Sequence, residues 1–154
     1  MQVLLRRAYP GDADAIAELV NGYAAEDIML PRTPEQVLAA VDDYVVACDV
    51  RGRLLACGAL REYSPSCAEL VSLAVARAAH GRGLGRVVVA EVERLARKRG
   101  FDGIFAHTLT PAFFEACGYD ACDRGLYPEK RARPHTACMQ RSLVERPEQL
   151  AVAA

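Results

Sequence analysis

Three observations predict an α/β (α+β) protein with a mostly antiparallel sheet of six to seven strands flanked by about four helices. Apolar residues switch between helical and strand spacing along the chain. Three β-rich runs follow one another between residues 44 and 75 with only turns between them, and one long amphipathic helix separates the last of these from a further strand. Runs joined by tight turns pair antiparallel. A strand–helix–strand unit crosses over right-handedly and adds one parallel pair.

Each element has its own signature. Val3, Leu4 and Leu5 form a first strand, and Pro10-Gly11-Asp12 turns the chain into a helix whose Ile16, Leu19, Val20 and Tyr23 fall at i, i+3, i+4 and i+7. Thr33 caps a second, short helix that ends near Asp43. Pro34 suits its first position and Gln36 can close a capping box. From Tyr44 the period becomes two: residues 44–48 and 53–60 form a hairpin around Arg51-Gly52, and residues 69–75 follow the Ser64-Pro65-Ser66 turn. On the longest helix Leu84, Val87, Val88, Val92, Leu95 and Ala96 make one stripe, with Gly100 ending it. Residues 103–108 are a fifth strand, residues 111–117 a short helix stopped by Gly118, and residues 119–122 and 136–143 the last strands. The order is β-α-α-β-β-β-α-β-α-β-β. No repeat or low-complexity linker interrupts it, so residues 1–143 read as one domain and residues 144–154 as a tail.

Composition narrows the function. The 154 residues are 52% hydrophobic and 25% charged with a formal charge of -1, which argues against a nucleic-acid partner. No apolar run approaches the ~20 residues of a membrane span, and residues 1–10 carry no signal-peptide core, so a soluble cytoplasmic protein is expected. The six cysteines (Cys48, Cys57, Cys67, Cys117, Cys122, Cys138) include no Cys-x-x-Cys pair and lie mostly in apolar segments. They are expected to be buried small hydrophobes, with neither a metal site nor a disulfide framework.

The informative stretch is His80-Gly81-Arg82-Gly83-Leu84-Gly85-Arg86, between a strand and the long helix. Free backbone N–H groups and the positive end of the helix dipole meet there, and glycines let a phosphate approach the main chain. Residues 70–90 contain no Asp or Glu, while Arg77, Arg82 and Arg86 bring three positive charges. A P-loop would need a Lys that is absent. A dinucleotide fingerprint would need a small residue where Arg86 or Val88 stands and an acidic residue at the end of the following strand, and Asp102 precedes that strand instead.

A strand, a loop of the form Arg/Gln-x-x-Gly-x-Gly/Ala and a helix resemble the GNAT superfamily of N-acetyltransferases, whose loop binds the pyrophosphate of acetyl-coenzyme A. The resemblance covers nearly the whole chain, because the order of elements also resembles that fold. His80 departs from it, standing where Arg or Gln is usual, with Arg82 and Arg86 able to compensate. Within the superfamily, Asp27-Ile28-Met29-Leu30-Pro31-Arg32-Thr33, Ala56-Cys57-Gly58-Ala59-Leu60, Glu69-Leu70-Val71-Ser72-Leu73-Ala74-Val75 and Pro111-Ala112-Phe113-Phe114-Glu115-Ala116-Cys117-Gly118-Tyr119 resemble the amino-acid acetyltransferases of arginine biosynthesis, the N-acetylglutamate synthase type. Val71, where short members often have Arg, and Leu109-Thr110, which replace a Tyr-Gln pair, depart from that group.

The resemblance implies direct acetyl transfer from the thioester to the amine of a small amino acid, glutamate first, without a metal. The alternatives are another small amine or peptide N-terminus as acceptor, or a non-catalytic acyl-coenzyme A sensor. Pantetheine would lie along Leu73, Ala74 and Val75, where a backbone N–H polarises the thioester carbonyl. The pyrophosphate would sit on His80, Gly81, Arg82, Gly83, Leu84, Gly85 and Arg86, with Phe113 and Phe114 completing the cofactor side. Glu69 or His107 would take the amine proton. Phe114 occupies the slot where the superfamily usually has an acidic Tyr, and Phe cannot donate a proton, which leaves the thiolate to water, to a backbone donor or to another group such as Tyr127. Arg32 would grip a substrate carboxylate, and a second cation would come from Lys130, Arg131, Arg133 or Arg141, with Arg133 as the candidate. Dimers are common in the superfamily, and the apolar last strands offer such an interface.

Overall fold

The computed structural model describes residues 2–128 and 136–144. The tail beyond Val144 and the candidate residues Lys130, Arg131 and Arg133 lie outside the described residues. The strands are β1 (Leu4–Arg7), β2 (Tyr44–Cys48), β3 (Leu54–Ser64), β4 (Cys67–Val75), β5 (Gly103–Thr108), β6 (Asp120–Cys122) and β7 (Ala137–Ser142). The α-helices are α1 (Ala13–Ala24), α2 (Pro34–Ala39), α3 (Leu84–Lys98) and α4 (Pro111–Ala116). One seven-stranded sheet has the order β1-β2-β3-β4-β5-β7-β6. The expected parallel pair is β4 with β5, through Cys67↔Gly103, Ala68↔Ile104 and Glu69↔Phe105. The β1–β2, β2–β3, β5–β7 and β6–β7 pairs are antiparallel. This is the mixed, mostly antiparallel sheet with four helices that the periodicity predicts.

Local chemistry explains the boundaries. Thr33 Oγ1 accepts from Gln36 N at 3.1 Å while Gln36 Oε1 accepts from Thr33 N at 2.9 Å, so the expected capping box is complete. The second helix stops earlier than Asp43 because Ala40 leaves helical geometry, and a 3-10 turn, Val41–Asp43, carries the chain into β2. In the β2–β3 hairpin Asp49 does more than its neighbours: its Oδ1 accepts from both Arg51 N and Arg53 N at 2.9 Å. Before α1, Asp12 accepts from Arg6 at 2.7 Å and from Tyr9 N at 2.6 Å, and the Arg6 guanidinium holds its carboxyl below the ordinary range.

Two compact units emerge, Met1–Arg61 with Leu70–Arg94, and Glu62–Glu69 with Leu95–Ala154. The first buries Ile16, Ala17 and Val20 of α1 and Val37 of α2 with Tyr44, Val46, Cys57, Ala59 and Ala74 of the strands. On the other face of its strands, Gly58 lets α3 approach: a Cβ there would sit 2.8 Å from Val88 Cγ1 and 3.5 Å from Val92 Cγ2. The second unit has an aromatic centre in which Tyr127 stacks on Phe105 at 3.6 Å between ring centroids and Tyr63 meets both rings edge-on.

The cysteine expectation needs correcting. Cys48 and Cys57 are buried thiols and Cys67 and Cys117 half-buried thiols outside any disulfide, but Cys122 and Cys138 form one. The antiparallel β6–β7 register puts these two opposite each other with Cα atoms 5.3 Å apart, within bonding range. Sequence spacing could not display that proximity.

Gly58→Ala should destabilise the fold by about 1–3 kcal/mol, because Val88 is itself fully buried and cannot yield without moving α3. Urea denaturation checks this as a lower midpoint with an unchanged slope.

Candidate functional site

The first unit holds the loop and the strand end that leads to it. Gly81 and Gly83 have φ of +79° and +74°, with open space around each Cβ position. Both therefore need glycine for their backbone conformation and leave the main chain accessible. Gly83 O accepts from Val87 N, which starts the α3 ladder and leaves the first-turn N–H groups pointing toward the loop. Leu84 is buried and anchors that turn, while Gly81, Arg82, Gly83 and Arg86 are exposed. A positive helix terminus, accessible backbone and two arginines thus share one surface.

His80 turns away from that surface. Its Nε2 lies 2.9 Å from the Val75 carbonyl oxygen and 2.9 Å from the Tyr23 hydroxyl, and the Tyr23 hydroxyl also donates to Val75 O. The two rings are nearly coplanar, and Arg77 lies over Tyr23 while pairing with Glu26. A protonated Nε2 donates to the carbonyl, so His80 ties the loop to the end of β4. Tyr23 has no sequence signal for this task, since its spacing reads only as part of the apolar face of α1.

Within β4 the pattern breaks at Ser72, whose φ is +55°. Val71 and Ala74 both pack on the α1–α2 core although residues three apart on a regular strand face opposite sides. Leu73 instead approaches Gly58 on the α3 side. Ser72 therefore acts as a bulge that re-aims Leu73, Ala74 and Val75. Its carbonyl accepts from Cys57 Sγ at 3.3 Å, and its hydroxyl accepts from Tyr44 at 3.3 Å. No glycine or proline marks the position. Burial pushes the Cys57 thiol up to about 12, which keeps it protonated and unreactive at neutral pH.

Arg32 is half-buried at the end of the α1–α2 loop. Its backbone is clasped by Asn21, which accepts from Arg32 N at 2.8 Å and donates to Arg32 O at 2.6 Å. Among the described residues the guanidinium makes one hydrogen bond, to Pro31 O. A fixed backbone with a loosely held head group suits a ligand contact.

The other candidates lie in the second unit. Glu69 is 6% exposed and stands in register with Phe105. His107, two residues along β5 and hence on the same face, sits opposite Cys138 with its ring against Phe105 and Tyr127. Phe113 and Phe114 meet edge-on, and Phe114, 3% exposed, packs on Tyr119. Phe114 is thus core and offers no proton. Arg141, one of the four second-cation candidates, donates to Cys117 O at 3.0 Å and packs beside Gly118, which commits it to the α4 end. Among the described residues no cluster of His, Cys, Asp and Glu could hold a metal, and no helix is long and apolar enough to cross a membrane.

Tyr127 donates to Gln140 Oε1 at 3.2 Å, and burial, followed by the neighbouring Cys67, pushes its hydroxyl up to about 12.

Comparison with known proteins adds three findings and a family match. The acetyltransferase (GNAT) family matches residues 13–119, from the start of α1 to the end of the α4 turn. An uncharacterized N-acetyltransferase of Chlorobaculum tepidum is 35% identical over 137 residues, covering 89% of this chain and 88% of its own. An amino-acid acetyltransferase of Mycobacterium tuberculosis is 31% identical over 118 residues, covering 75% and 67%. The crystal structure of N-acetylglutamate synthase from Neisseria gonorrhoeae, complexed with coenzyme A and N-acetyl-glutamate, superposes with a TM-score of 0.84 at 24% identity over 94% of this chain and 36% of that one.

The raised Tyr127 value has a sign that can be tested. Because the folded value lies above the unfolded one of 10.0, the stability linked to this group is present below pH 10 and is lost as pH rises towards about 12. The stability difference between wild type and Tyr127→Phe should shrink across that interval, as measured by urea denaturation at a series of pH values.

Proposed function

We propose, on the premise that this chain belongs to the acetyltransferase (GNAT) family, that it transfers the acetyl group of acetyl-coenzyme A to the α-amine of a small amino acid, glutamate first. The observation that carries the reading is the loop at the start of α3, where Gly81 and Gly83 hold positive φ and expose backbone beside Arg82 and Arg86. That arrangement suits a pyrophosphate: main-chain N–H groups and the helix terminus meet the oxygens, and the guanidiniums add charge-assisted contacts. His80 serves through the Val75 carbonyl, keeping the strand end and the loop in register.

Acetyl-coenzyme A supplies the activated thioester. The chain's part is to orient it along Leu73, Ala74 and Val75, where a backbone N–H faces the developing oxyanion. Glu69 or His107 removes the proton from the substrate ammonium, whose ordinary value of roughly 8–10 otherwise keeps it unreactive at neutral pH. The amine nitrogen then bonds to the carbonyl carbon, the carbon–sulfur bond breaks, the nitrogen gives up its second proton to water, and the thiolate gains one from water or from a group such as Tyr127, because Phe114 has none to give. Arg32 holds a substrate carboxylate. Support for the glutamate assignment comes from the mycobacterial amino-acid acetyltransferase and the likeness to the gonococcal synthase.

Thiol release measured across a panel of amino acids should show glutamate turnover, and Arg32→Ala should raise its KM about tenfold or more. Lack of turnover with any amino acid removes this assignment, and coenzyme A binding without any reactive amine would replace it by a sensor role. Gly83→Val forces a β-branched residue into left-handed backbone and blocks the main chain, so calorimetry should show coenzyme A affinity falling about tenfold or more. Unchanged affinity would remove the cradle.

A further inference from the structure

The last peptide unit of β4 limits what can pair with this strand. In the sheet β4 lies between β3 and β5, and among the described residues its ladder with β5 runs through Cys67, Ala68 and Glu69 alone. Past Glu69 the backbone groups on that edge can receive an added, strand-like ligand arm. Ala76 N donates to Leu55 O at 2.8 Å, which turns this N–H toward β3. The N–H and C=O of one trans peptide point in opposite directions, so the Val75 carbonyl faces the other edge. Its two lone pairs are the last acceptors an arm would meet before the loop. Both are in use. The Tyr23 hydroxyl, reaching from α1, donates to this oxygen, and His80 Nε2 lies 2.9 Å from it. Tyr23 is itself held: its ring packs on the α1–α2 core, runs nearly parallel to the His80 ring, and carries Arg77 over its face at 4.9 Å, with Arg77 paired to Glu26.

We propose that Tyr23 is a positioning residue of the cofactor site: with His80 it closes the ligand-facing edge of β4 at Val75 and holds the strand end at one fixed setting relative to the glycine loop. This rests on the coenzyme A reading above and adds to it a residue that belongs to neither the strand nor the loop. An arm paired along β4 finds the Val75 carbonyl taken, so it must leave the strand there and turn toward Gly81 and Gly83. The clamp sets that point before any ligand arrives, which spares a spanning ligand the cost of ordering strand end and loop together. Tyr23→Phe keeps the ring and its packing but leaves Val75 to His80 alone. A ligand that reaches from strand to loop then loses affinity, whereas one confined to the loop does not.

Calorimetry on the full chain, wild type against Tyr23→Phe, uses two probes after circular dichroism has shown both proteins folded: coenzyme A, and its nucleotide half, which carries the pyrophosphate without the pantetheine arm. Tyr23→Phe should weaken coenzyme A about fivefold or more and leave the nucleotide half within about twofold of wild type. Equal losses on the two probes make Tyr23 a general support of the loop and overturn the assignment, as does unchanged affinity for coenzyme A. Failure of wild type to bind coenzyme A removes the coenzyme A reading. If either probe fails to bind wild type, amide hydrogen exchange decides the clamp by itself. Faster exchange in Tyr23→Phe confined to residues 75–83 supports it. Exchange equal to wild type, or raised across α1 and β2 as well, overturns it.

Discussion

A serine in left-handed backbone costs about 1–2 kcal/mol relative to ordinary strand geometry, and β4 depends on one. Without the break at Ser72, Val71 and Ala74 could not both face the α1–α2 core, and Leu73 could not face Gly58 and α3. The surrounding contacts hold the conformation in place: Tyr44 reaches the Ser72 hydroxyl, Cys57 reaches its carbonyl, and the flanking side chains are packed. Downstream, the same displacement sets where Val75 presents its carbonyl to Tyr23 and His80. The loop at the start of α3 is therefore positioned by a chain of contacts that begins in the middle of a strand.

That chain of contacts gives a physical account of why histidine can stand at the head of the glycine loop. A long cationic or amide side chain could reach a phosphate directly. His80 is short and planar, and it spends its Nε2 on the strand end and on Tyr23, while positive charge at the loop comes from Arg82 and Arg86. The overall charge of -1 conceals this division because the acid-free window covers only residues 70–90.

Legibility followed the range of the interaction. The Thr33–Gln36 box, the apolar stripe of α1 and the β5 and α3 boundaries depend on residues close in sequence, and each was readable from spacing alone. The glycine loop was readable too, since a positive φ leaves a mark in composition. What could not be read depends on partners brought together by folding. Ser72 carries no compositional sign of its backbone, Cys122 meets Cys138 only through the β6–β7 register, and Tyr23 acquires its neighbours from other elements. Phe114 was legible as chemistry denied, but its burial against Phe113 and Tyr119 explains why the position tolerates an apolar ring.

The Cys122–Cys138 bond closes a covalent ring around the intervening residues, which include Lys130, Arg131 and Arg133. For a ring of this size, chain-entropy arguments assign about 3 kcal/mol to the restriction of the unfolded ensemble. Four of the six cysteines stay outside this bond, while Cys122 and Cys138 are oxidised to it. The chain's stability is therefore a function of the redox poise around it as well as of temperature and pH. Reduction would loosen the edge of the sheet at β6 while leaving the ladders of the first unit intact.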